Sequence, residues 1–170
     1  FVNYDEKISN DFIYTLGGNR IELINSDIDE WRITFVDTGI SSNVGQRLMK
    51  VQKYLDGEEY FLANYADGLS NLYLPDMIDH FKVQPDKVAS FVTYRPTGSF
   101  HMVKAEEDGL VTSISPISTT NLWLNTGYFL FRKSIFDFIN YGEELVEEPF
   151  ARLIKAKKLT NYHHKPLVHV

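Results

Sequence analysis

The chain has 170 residues, 44% hydrophobic and 24% charged, which suffices for a globular protein with a packed core. Its formal charge of −6 argues against a general binder of nucleic-acid phosphates, and the absence of cysteine excludes disulfides and thiolate metal sites. No apolar run approaches the ~20 residues that span a bilayer, no secretory leader pattern is read, and a cytoplasmic location is the default expectation.

Phe12-Ile13-Tyr14 and Ile21-Glu22-Leu23-Ile24 read as strands on either side of a Gly17-Gly18-Asn19 turn. Trp31 to Val36, W-R-I-T-F-V, reads as a strand ending at Asp37-Thr38-Gly39. Ser41-Ser42-Asn43 offers a helix cap, and Val44, Leu48, Val51 and Leu55 follow at helical spacing. Tyr60 to Tyr65 is a short apolar run stopped by Asp67-Gly68, the form of a buried strand. Together these predict a strand-helix-strand unit with a right-handed crossover. Leu74, Met77, Ile78 and Phe81 mark a second helix, and V-A-S-F-V-T-Y between Lys87 and Arg95 a further strand. Consecutive units of this kind predict an α/β fold with a mostly parallel sheet.

After Pro96, Phe100 to Ala105 and Leu110 to Ile114 predict an antiparallel hairpin turning at Glu107-Asp108-Gly109. Trp123 to Phe131 reads as a strand interrupted by small and polar residues. Ser134 to Ile139 and Pro149 to Ala156 read as helices, and Leu159 to His164 as a last strand. No repeat or linker is visible, so residues 1–170 are expected to form one domain.

Asp67 is the first candidate for chemistry. Ligands gather beyond the carboxyl ends of strands in α/β sheets, and a carboxylate fixed there suits a hard cation such as Mg²⁺. Asp-Gly is also an ordinary turn pair, and alone it would be read as one. His163-His164 suggests metal binding, but neighbours on a strand point to opposite faces and make poor co-ligands.

Three segments, V-D-T-G-x5-G-x-R-L (Val36 to Leu48), F-L-A-N-Y-A-D-G (Phe61 to Gly68) and W-L-N-T-G-Y-F-L-F (Trp123 to Phe131), occur in one order. With Glu147-Glu148-Pro149 and Tyr162-His163-His164, the set resembles sugar-1-phosphate nucleotidyltransferases, most closely the glucose-1-phosphate cytidylyltransferase branch. The resemblance implies a Rossmann-like, mostly parallel sheet with an antiparallel hairpin insertion. It implies an enzyme that joins a nucleoside triphosphate, CTP favoured, to a sugar 1-phosphate, glucose 1-phosphate favoured, for polysaccharide synthesis. It assigns the metal-binding and catalytic carboxylate to Asp67, with Mg²⁺ as cofactor. It assigns nucleotide and sugar contacts to Thr38, Gly39, Gly45, Arg47, Gly68, Asn125 and Gly127.

The roles suit the chemistry. Two polyanions must be neutralised and held in line. Glycines let backbone amides come close to phosphates, and Asn125 can both donate to and accept from a sugar hydroxyl.

The chain also departs from the family pattern. The family's first strand, its Gly-rich phosphate loop with an Arg, and its second strand have no counterpart, since Phe1 aligns after them. That is the pattern of a fragment, and the chain alone is expected to turn over poorly. A second metal-binding Asp expected after His164 is also absent. Ile114-Ser115-Pro116 stands where the family carries Glu-Lys-Pro, so Arg95 or Lys104 would have to supply the lost cation. The alternatives are a metal-dependent glycosyltransferase, against which Tyr65 in place of the first Asp of a D-x-D pair counts, and a nucleotide- or sugar-binding module with impaired catalysis. A homo-oligomer is expected if a sheet edge is left to pair.

Overall fold

The computed structural model describes residues 4–26, 28, 30–96 and 99–164. Contacts divide the chain into two compact units, Phe1–Asp37 and Thr38–Val170.

In the first unit, β1 (Phe12–Thr15) and β2 (Arg20–Leu23) form the expected antiparallel hairpin, with Phe12 opposite Leu23 and Thr15 opposite Arg20. The strand expected at Trp31 to Val36 is not there: these residues form no regular element and enter no described ladder. W-R-I-T-F-V has strand composition, but strand propensity expresses a fit to neighbouring strands and yields to context. The predicted strand-helix-strand unit therefore lacks its first strand.

In the second unit, Asn43 caps α1 (Val44–Val51). Its side chain accepts from the Gln46 amide at 2.9 Å, and the Gln46 side chain accepts from the Asn43 amide at 3.0 Å. Two amides that a helix start leaves unpaired are thereby satisfied. Then follow β3 (Tyr60–Asn64), α2 (Leu74–Lys82) with Pro75 in its first turn, and β4 (Ala89–Tyr94). Among the described residues, β5 (His101–Ala105) and β6 (Val111–Pro116) pair only with each other, as the expected antiparallel hairpin. The chain continues through β7 (Leu124–Arg132), a 3₁₀ segment at Lys133–Phe138, α3 (Glu148–Lys155) and β8 (Leu159–His164).

The main sheet has the order β3-β7-β4-β8. β7 is antiparallel to both β3 and β4, and only β4 and β8 are parallel. This overturns the mostly parallel sheet expected from the motif order. After the β5–β6 hairpin the chain returns between β3 and β4 and runs against both. Nothing in a local apolar run encodes that direction.

Helices cover both faces. On one, Leu48 of α1 and Phe150 and Leu153 of α3 pack on Ala89, Phe129 and Phe131, joined by Ile135 and Phe136. On the other, Met77 and Phe81 of α2 pack on Val92 and Leu130. Each fully buried side chain of this size contributes about 1.5–3 kcal/mol relative to exposure. These two layers hold the strand ends in place.

The small-polar interruption in β7 has a clear form. Phe91 faces Phe129 and Thr93 faces Asn125, so one residue of β4 stands against three of β7. The resulting bulge leaves the Val92 carbonyl without its ladder partner, and the Thr126 hydroxyl donates to it at 3.1 Å. Gly127 takes φ +77° within the bulge, a conformation open mainly to glycine.

Candidate functional site

The turn at residues 38–42 is held against α1 by cationic side chains. Arg47 donates from Nε to the Ser42 carbonyl at 2.9 Å and from Nη1 to Thr38 Oγ1 at 3.2 Å. Lys50 donates from Nζ to the Thr38 carbonyl at 2.6 Å and to Ser42 Oγ at 3.3 Å, and the Ser42 hydroxyl also donates to Thr38 O. Gly39 takes φ +81° at the tip of this turn. Lys50, which motif reading did not single out, thus does as much as Arg47 to shape the turn.

A cavity of about 610 Å³ opens between this turn, α1 and the end of β3. Thr38, Arg47 and Asp67 all line it, together with Asn64 and Tyr65. Its remaining walls are apolar, Val44, Leu48, Phe129 and Leu145 among them. Three of the predicted residues, from two of the three motif segments, are thus brought to one pocket.

The other predicted residues stand elsewhere. Gly45 is buried in α1 against the Glu143 carbonyl, where any Cβ would overlap it. Its smallness serves helix-to-loop packing. Gly68 lies past the strand end, its carbonyl accepting from the Tyr128 hydroxyl at 2.7 Å. Asn125 is exposed and does not line the cavity, and its Oδ1 accepts from the Gly127 amide at 2.9 Å. Gly127 is buried beneath the Tyr65 ring. His163 meets the Trp123 ring edge-on, centroids 4.0 Å apart, while His164 Nε2 lies 2.9 Å from Asn71 Oδ1. Arg95 donates to the carbonyls of Ser118 and Thr120 at 3.1 and 3.0 Å, so it ties down the connection after β6.

Tyr65 is the residue that motif reading missed. Its hydroxyl is pushed above its ordinary value by burial, and in the same direction by the carboxylates of Glu144 and Asp67. The signal in the sequence was its position at a strand end two residues before Asp67; an aromatic there reads by default as core.

Mg²⁺ takes six oxygen ligands in near-octahedral geometry. Asp67 is the carboxylate on the pocket wall, and among the described residues no group of three or more His, Cys, Asp or Glu could hold a metal ion. The described residues do not by themselves fit a Mg²⁺ site. No described helix is long and apolar enough to cross a membrane.

No protein-family model matches the chain. It is 29% identical over 165 residues, 96% of its length, to the glucose-1-phosphate cytidylyltransferases of Salmonella typhi and Salmonella typhimurium. It is 30% identical over 138 residues, 80% of its length, to a Bacillus subtilis protein assigned as a glucose-1-phosphate cytidylyltransferase. The chain spans 63% of the length of the two Salmonella proteins and 53% of the Bacillus subtilis one. Among solved structures, it resembles a Bacillus anthracis protein assigned as a glucose-1-phosphate thymidylyltransferase and crystallised with sucrose. That likeness has a TM-score of 0.51 at 14% identity, covers 75% of this chain and 55% of the other, and speaks for the fold alone. The sequence relatives share one description, that of glucose-1-phosphate cytidylyltransferases, and the chain is similar to them over most of its own length.

Proposed function

We propose that the chain carries out nucleotidyl transfer to a sugar 1-phosphate, with CTP and glucose 1-phosphate as the favoured pair. The observation that supports this best is the meeting of Thr38, Arg47 and Asp67 in one pocket at the end of β3. In the reaction, a phosphate oxygen of the sugar phosphate attacks the α-phosphorus of the triphosphate. The bond from that phosphorus to the bridging oxygen breaks, and pyrophosphate leaves with the electron pair. No side-chain nucleophile is needed, so the chain's task is to hold two anions in line and offset their charge.

Arg47 suits the second task, since it lines the cavity beside Thr38, to whose hydroxyl it donates. A divalent cation enters this proposal only with the triphosphate that carries it. At the hairpin, Ser115 stands opposite Met102, and Lys104 opposite Ser113. Lys104 therefore lies two residues along the partner strand on the same face as Ser115. Arg95 is engaged with carbonyls.

Pyrophosphate release with CTP, dTTP and UTP against glucose 1-phosphate tests the reading, with thermal shift run on the same mixtures. Slow release, greatest with CTP, is the expected outcome. Neither release nor a thermal shift with any pair would refute the proposal. Because Ser115 replaces the family's lysine, a second reading is a binding module with weak turnover. Stabilisation by ligands without pyrophosphate release would favour it.

A further inference from the structure

Two cations grip Thr38. Arg47 donates from Nη1 to its hydroxyl at 3.2 Å, and Lys50 donates from Nζ to its carbonyl at 2.6 Å. They stand three residues apart on α1, which makes them neighbours on one helix surface. Each also reaches Ser42 at the other end of the turn, Arg47 at the carbonyl (2.9 Å) and Lys50 at the hydroxyl (3.3 Å). No described ladder includes residues 31–42, and these side-chain bonds tie the turn to the helix.

The two cations are not equivalent. Arg47 and Thr38 line the cavity, whereas Lys50 is not part of its lining. In the function proposed above, Arg47 offsets the charge of bound phosphate. A guanidinium bonds phosphate more strongly than it bonds a neutral hydroxyl. Its hold on Thr38 therefore weakens when ligand is present, which is when the turn must keep its place. The Lys50 bond is made to a main-chain carbonyl outside that competition.

We infer that Lys50 is a positioning residue: it holds the Thr38 carbonyl so that Thr38 and Arg47 stay at the cavity wall while ligand engages Arg47. This rests on the proposed function and adds to it a division of labour between two cations of one helix. Arg47 meets the charge, and Lys50 keeps the turn that orients Arg47.

Lys50→Met tests this, since it keeps an unbranched apolar stem and removes the ammonium. Lys50 is exposed, and an exposed bond from a long side chain adds little to global stability. The melting temperature without ligand is expected to stay within ~2 °C of wild type; a larger fall shows a general structural role and overturns the inference. Calorimetric titrations are then run with CTP and with glucose 1-phosphate. The expected result is a dissociation constant raised about tenfold for one or both, with Lys50→Arg, which can still donate to the Thr38 carbonyl, within about threefold of wild type. A double-mutant cycle with Arg47→Ala separates positioning from direct attraction of the ligand. A residue that acts through the turn and Arg47 has little left to do once Arg47 is gone. Adding Lys50→Met to Arg47→Ala is therefore expected to weaken binding by less than about twofold. Further weakening beyond that, unchanged binding by Lys50→Met, or Lys50→Arg as weak as Lys50→Met overturns the inference and leaves the proposed function standing. Wild-type protein that binds neither ligand overturns the proposed function and this inference with it.

Discussion

The carbonyl oxygen of Glu143 occupies the space that a side chain on Gly45 would need. Through this contact the 142–145 loop lies directly on the first turn of α1, where Asn43 Nδ2 also donates to the Gly142 carbonyl at 2.9 Å. Leu145 from that loop and Val44 and Leu48 from the helix are walls of the same pocket.

Gly45→Ala should therefore destabilise the protein. In a helix interior the exchange ordinarily gains about 0.5–1 kcal/mol. Here the new methyl meets backbone that can yield only by moving the helix or the loop, and overpacking of this kind costs about 1–3 kcal/mol. Urea denaturation should show a net loss. A variant more stable than wild type would mean that the loop does not rest on Gly45.

The same loop is held from behind by an ion pair that responds to acid. Arg152 grips Glu143 with both terminal nitrogens, and the Glu143 carboxylate also accepts from the Asn140 amide at 2.9 Å. The Arg152 bond and then the Asn140 bonds hold its pKa down from 4.5 to about 2. A lowered carboxylate pKa gives stability that is complete above the unfolded value and is lost as pH falls through the folded one. Wild type should lose stability between about pH 4.5 and 2 more steeply than Glu143→Gln. Melting curves for the two across that range check this. Parallel curves would show that the pair does not contribute.

Ser90 and Thr93 are both buried hydroxyl residues of β4, and they should behave oppositely. Thr93 Oγ1 accepts from Asn161 Nδ2 at 2.9 Å and donates to the Tyr162 carbonyl at 3.4 Å. The Ser90 hydroxyl has no partner among the described residues. Removing an unpaired buried hydroxyl is neutral or helpful by up to ~1 kcal/mol, whereas Thr93→Val leaves Asn161 unpaired and costs ~1–3 kcal/mol. Chemical denaturation of Ser90→Ala and Thr93→Val measures both. Substantial loss from Ser90→Ala would reveal a partner for that hydroxyl.

Gly127→Ala and Gly109→Ala form a matched pair. Both glycines have positive φ, 77° and 88°, so alanine pays a left-handed backbone penalty of about 1–2 kcal/mol at each. Gly109 faces open space, but a Cβ on Gly127 would strike the Tyr65 ring near its root. Gly127→Ala should lose more stability and weaken ligand binding as well. Equal losses would show that the ring swings aside freely.

Much of this was readable in the sequence where the cause is local. Asn43 before a run of Val44, Leu48 and Val51 specifies α1 through a cap and a stripe, and both are found. The polar interruption at Asn125 to Gly127 announced a disturbed strand because glycine and small polar residues pack poorly in a ladder. What failed depended on distant parts of the chain. Trp31 to Val36 has the right residues for a strand but no place in a described ladder. The direction of β7 is set by where the chain re-enters the sheet, which Phe129 and Phe131 cannot encode. At the site, Asp67 and Thr38 were named from motifs, whereas Tyr65 shows its part only when its ring is seen lying on Gly127.

The bulge in β7 also fixes which neighbours that strand can have. Side chains on a strand alternate with a period of two, so sliding β7 by two residues would keep every apolar group on its own face. The other face decides against it, since such a slide would bring Tyr128 or Arg132 to the fully buried place of Leu130. The hydroxyl of Thr126 adds to that choice, because in this alignment it reaches the Val92 carbonyl. The threonine thus helps to lock the assembly of the sheet at the point where Gly127 comes to lie beneath Tyr65.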